Sequence, residues 1–102
     1  MISEDYDFSD FLRCVQNWSF LKIKERIELE AQEARRQAGA SGVVNKRAEK
    51  HQYAHKLENL GGYLTGQVML NINNLTNNER QLINELVQGL KNRGENIKPK
   101  DG

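Results

Sequence analysis

His51, His55 and Glu58 stand at i, i+4 and i+7 within EKHQYAHKLENLGGYLTG, Glu49 to Gly66. On a helix this spacing projects two imidazoles and a carboxylate from one face, the arrangement a shared metal ion needs. The neighbouring residues complete neither of the helical metal motifs that come closest. A zinc-protease helix carries Glu directly after its first His, and Gln52 occupies that place here. Diiron bundles use Glu-x-x-His from paired helices, whereas HKLE has the reverse order and no second copy. The three residues therefore read first as a solvated polar face and only second as metal ligands, and no cofactor is implied.

A second cluster is cationic. Arg35, Arg36, Lys46, Arg47 and Lys50 flank the turn AGASG, Ala38 to Gly42, so a helical hairpin would gather them at one end, diluted by Glu33 and Glu49. Lys46 and Arg47 would fall in the first turn of the second helix, where the dipole disfavours positive charge. Helix stability is not what selects them. With Lys56 further along, they form a candidate edge for nucleic-acid phosphates, able to fix position on a backbone without reading sequence. Lys24 with Glu28 and Arg26 with Glu30 pair at i, i+4 and need no function.

A third candidate is smooth rather than charged. Ala48, Gly62, Gly66 and Met69 continue the outward face of the histidine segment, roughly 140° from the apolar stripe. Small residues at this spacing beside a methionine let another backbone approach closely, which reads as a docking surface for a helix. Gly62, Gly66 and Met69 are the interface candidates. The chain has no P-loop, dinucleotide fingerprint, nucleophile elbow or paired cysteines, and enzyme activity is not expected. Cys14 falls among Phe11, Val15 and Trp18 and is expected to be buried and inert.

The elements that must position these groups are all helical. Residues 8–38 contain no Gly or Pro, and Ser9 or Asp10 offers a first cap. Phe8, Phe11, Leu12, Val15 and Trp18 share one face, while Phe20, Ile23, Ile27, Ala31, Ala34 and Ala38 share another, rotated by roughly 120°. One straight helix cannot bury both against one neighbour, so the spacing predicts a short aromatic helix over 8–18, a break near Asn17 to Ser19, and a long helix over 19–38. Gly39 is placed to end that helix and Ser41 to cap the next, with the turn at 39–42. The stripe Tyr53, Ala54, Leu57, Leu60, Gly61, Leu64, Val68, Ile72 and Leu75 predicts a second long helix over 43–75, bent or ended near Gly61 and Gly62. Thr76 and Glu79 form a capping box for a final helix over 77–93, whose apolar face is Leu82, Ile83, Leu86, Val87 and Leu90, and Gly94 follows it. Residues 1–7 and 94–102 are read as tails.

With 102 residues, 37% hydrophobic and 28% charged, the chain is a single domain with a thin core. A thin core raises the prospect that another chain completes it. No run of about 18 apolar residues exists, so no membrane span is expected. MISEDYDFSD is acidic where a signal peptide is basic, and a cytoplasmic location is expected. The fold class is all-α: a small three- or four-helix bundle built around a long antiparallel hairpin. In size, helical make-up and scattered basic edges the chain is similar in outline to the small helical subunits of CRISPR effector complexes. That likeness implies a non-enzymatic accessory subunit of a nucleoprotein assembly, docking by an apolar helix face and touching RNA or DNA backbone. The alternatives are a self-associating helical adaptor without nucleic acid, and a metal-binding protein using His51, His55 and Glu58.

Overall fold

The computed structural model describes residues 7–40, 42 and 44–99, and of residues 44–46 the backbone alone. Its elements are α1 (Phe8–Cys14), α2 (Phe20–Ala40), α3 (Val44–Leu64), a 3-10 turn (Ile72–Asn74) and α4 (Asn77–Asn92), with no strand among the described residues. α2 and α3 form the long antiparallel hairpin, and α1 packs against α4 and α3. The fold is an all-α bundle, as the periodicities predict.

Each helix forms for local reasons. Asp7, rather than Ser9 or Asp10, caps α1: its carboxylate accepts from the Asp10 N–H at 3.0 Å while Asp10 accepts from the Asp7 N–H at 3.0 Å. α1 stops at Cys14, four residues before the expected Trp18, and the break covers residues 15–19. The carbonyls freed there are held from elsewhere. Arg93 donates to the carbonyls of Gln16 (3.2 Å) and Trp18 (2.8 Å), and the Gln16 amide donates to Leu12 (3.0 Å) and Leu82 (3.1 Å). Ser19 then opens α2 by accepting from the Lys22 N–H at 3.3 Å. Cys14 is exposed, contrary to expectation, because the buried face of α1 comprises Phe8, Phe11 and Leu12. α2 runs through Gly39 to Ala40, so Gly39 does not end it, and Ser41 lies outside the described residues.

The core is one cluster. Phe8, Phe11, Leu12 and Val15 meet Ile83, Leu86, Val87 and Leu90, while Ile23, Ile27, Ala31 and Ala34 of α2 meet Tyr53, Ala54, Leu57, Leu60 and Leu64 of α3. The alanines let α2 and α3 approach closely, and Ile27 lies 3.6 Å from where a β-carbon on Gly61 would sit. Two acids are buried with partners: Glu30 accepts from the Tyr53 hydroxyl at 2.6 Å, and Glu79 pairs with Lys56.

α3 is the main departure from the sequence reading. It ends at Leu64 instead of continuing to 75, and neither Gly61 nor Gly62 ends it. Gly66, at φ +79°, takes the left-handed position, the Gly66 N–H donates to Tyr63 at 3.1 Å, and the Gln67 N–H donates to Gly62 at 2.8 Å. Those two bonds are the Schellman closure of a helix. Gly94, at φ +77°, closes α4 in the same way through Lys91 and Leu90. Past Gly66 the chain folds back along α3, and the tail crosses it: the Lys98 N–H donates to the Leu64 carbonyl at 2.9 Å.

Candidate functional site

The hairpin brings Arg35 and Arg36, late in α2, to the same end as Arg47 and Lys50, early in α3. Lys46 lies outside the described side chains. Arg35 grips Glu58 of α3 with two bonds of 2.5 Å, which hold the Glu58 carboxyl below its ordinary value and the guanidinium above its own. Arg36 grips Glu33 one turn back on α2, and that bond likewise lowers the Glu33 carboxyl. Arg47 is exposed and Lys50 half-buried. Lys56 does not join this end. It sits in the middle of α3, turned toward α4, where its ammonium lies 3.1 and 3.2 Å from the two oxygens of Glu79. With side chains 23% and 6% exposed, that pair is part of the packed structure and not a phosphate-facing edge. Arg35 is likewise tied across the hairpin, a cross-helix pairing that α-helical spacing along one strand of sequence does not reveal.

The metal candidates are separated by the same pairing. His51 and His55 are exposed on α3, but the Glu58 carboxylate is committed to Arg35. Among the described residues no group of three or more His, Cys, Asp or Glu side chains is placed to hold a metal ion.

The glycine face is covered by the chain itself. A β-carbon on Gly62 would lie 2.6 Å from a Val68 methyl, and one on Gly66 would lie 2.8 Å from the Lys98 carbonyl oxygen. These glycines do admit a close neighbour, but it is the returning segment and the tail rather than another helix. Met69 alone of the three interface candidates is open, 53% exposed, and Val68 (43%) and Ile72 (49%) stand open beside it. Helical spacing puts Val68 and Ile72 in the core stripe. The end of α3 at Gly66 takes them out of it.

Between α3 and the returning segment lies a cleft of about 450 Å³. Gln52, His55 and Lys56 form one wall, and Asn71, Asn74 and Leu75 the other. Asn59 closes one end by joining the walls: its side-chain N–H donates to the Met69 carbonyl at 3.0 Å, and its oxygen accepts from the Asn71 N–H at 2.8 Å. Sequence reasoning missed this cleft, although the NINN run at 71–74 carried a signal in its amide density.

No helix among the described residues is long and apolar enough to cross a membrane. Compared with known proteins, the chain matches no family model, no curated protein and no solved structure.

Proposed function

We propose that this chain is a non-catalytic helical subunit that docks on a larger protein assembly through the apolar edge of Val68, Met69 and Ile72. One observation carries the reading: three large apolar side chains within five consecutive residues are each more than 40% exposed, on a segment that the rest of the chain holds in place. Clustered exposure of this kind marks interaction surfaces, whereas Leu21 and Leu29, eight residues apart on α2, are single exposed leucines of the ordinary sort.

A second reading keeps nucleic-acid backbone as a partner of the hairpin end. The exposure of Arg36, 72% for its side chain, favours it, because an open, solvent-screened ion pair contributes little and a phosphate can displace its carboxylate. The experiment is a native pull-down, split with one half nuclease-treated, of the unaltered chain, of Met69→Glu/Ile72→Glu, and of Arg36→Glu/Arg47→Glu/Lys50→Glu. Proteins that survive nuclease and are lost with Met69→Glu/Ile72→Glu support docking by the apolar edge. Loss with nuclease and with the charge reversal, but not with Met69→Glu/Ile72→Glu, transfers the function to the second reading. Recovery of the chain alone overturns both and leaves self-association to be read from its mass in solution.

A further inference from the structure

The cleft beside the apolar edge has walls rich in amides, and their state selects what fits. Lys56 is the one wall residue with a fixed positive charge, and Glu79 neutralises it at 3.1 Å, so the site has no free charge for a phosphate or carboxylate. His55 supplies the only ring, and no Phe, Tyr or Trp lines the walls to stack a nucleobase. Gln52, Asn71 and Asn74 make no side-chain hydrogen bond to the described residues, leaving each with a carbonyl and an NH2 to offer.

Asn59 shows what an amide in this cleft does. It holds main chain with both ends, donating to the carbonyl of Met69 and accepting from the N–H of Asn71. Gln52 sits seven residues earlier, on the same face of α3, with the same two groups unused. The two amides lie about 10 Å apart along the helix, the span of about three residues of extended chain.

The geometry points to this cleft as a binding site for an extended, uncharged stretch of a partner's main chain, held by Gln52 and Asn74 as Asn59 holds residues 69–71. This rests on the docking reading above and adds that the partner presents an unfolded-like segment to the cleft, with its side chains free to reach Met69 and Ile72.

The test is a phage-displayed library of random dodecapeptides panned on the full chain, with binding of synthetic winners measured by fluorescence anisotropy. Winners are expected to weaken about tenfold against Gln52→Leu/Asn74→Leu, the loss of one or two main-chain bonds. Both residues are exposed, and an unchanged melting temperature shows that this variant is folded. N-methylation of a central amide in the winning peptide, which removes an N–H and keeps every side chain, is expected to cost about fivefold. Absence of winners, winners indifferent to Gln52→Leu/Asn74→Leu or to N-methylation, or equal binding of a twelve-residue uridylate RNA would overturn the proposal. The docking reading is judged separately: a partner still recovered with Gln52→Leu/Asn74→Leu but lost with Met69→Glu/Ile72→Glu leaves docking standing and removes the cleft from it.

Discussion

Replacing Gly66 by Ala separates two costs that the structure places on one residue. A β-carbon in the left-handed region costs about 1–2 kcal/mol, and the stiffer unfolded chain of Ala offsets about 0.4–1 kcal/mol of that. Gly94 isolates this balance. Its φ is +77°, close to the +79° of Gly66, and a β-carbon there meets nothing within 4 Å, so Gly94→Ala is expected to cost about 1 kcal/mol. At Gly66 the new methyl lies 2.8 Å from the Lys98 carbonyl oxygen and 3.4 Å from its β-carbon, and the tail has to move. Moving it strains the 2.9 Å bond from the Lys98 N–H to Leu64, worth about 1 kcal/mol, and loosens Ile97 from the core edge. Gly66→Ala is therefore expected to cost about 2–3 kcal/mol, a fall in melting temperature of roughly 10–15 °C for a domain of this size. Urea unfolding followed by circular dichroism measures both variants. Repeating both in a chain ending at Asn96, which lacks Ile97 and Lys98, is expected to shrink the Gly66→Ala penalty to that of Gly94→Ala. Equal penalties in the full chain, or a difference that survives truncation, would refute the account of the tail as a clamp over the end of α3.

Four further outcomes follow from the polar contacts. Glu79→Ala removes the acceptor of the Thr76 cap bond (2.8 Å) and strands Lys56, so it is expected to cost about 2–3 kcal/mol in urea unfolding. Lys56→Met/Glu79→Gln is expected to be more stable than the sum of its singles predicts, since no buried charge is left unpaired. Glu58 is held below its ordinary 4.5 when folded, so the stability from its pair with Arg35 is full above that value and lost as pH falls through the lowered one. The destabilisation caused by Arg35→Gln, at most about 1 kcal/mol for so open a pair, should thus be seen in melting curves at pH 7 and shrink steadily as the pH is taken down below 4.5; a loss of equal size across the whole series would assign it to packing. Arg93→Ala uncovers the Gln16 and Trp18 carbonyls and is expected to cost about 1 kcal/mol, with amide exchange speeding up first in residues 15–19.

Part of the local chemistry was legible in the sequence. The Thr76 and Glu79 box and the apolar face of α4 depend on residues within a few positions and stand where the pattern put them, whereas the break ahead of Ser19 begins earlier than expected and the equally local cap of α1 belongs to Asp7. The end of α3 was not legible from periodicity, because Val68, Ile72 and Leu75 sit at helical spacing by coincidence while Gly66 turns the chain away. The choice among three glycines depends on which one can take positive φ with its bonds closed, and Gly61 is instead used for the approach of Ile27. Pairing across helices was equally hidden: Arg35 with Glu58 and Lys56 with Glu79 are each separated by 23 residues, and both removed candidates from the charged edge. The cleft arises only once the returning segment lies on α3, so no single stretch of sequence contains it.

Arg93 also sets an order on synthesis. Its bonds to Gln16 and Trp18 span 77 and 75 residues, and the aromatic face of α1 is covered mainly by α4, near the far end of the chain. The α2 and α3 hairpin can close from neighbouring sequence while α1 still lacks its main cover. At about 5–20 residues per second, Phe8, Phe11 and Leu12 wait roughly 4–15 s before Leu86 and Leu90 have been made. For that interval the nascent chain carries its stickiest surface uncovered, so a chaperone that recognises short aromatic segments would meet this protein at its first helix.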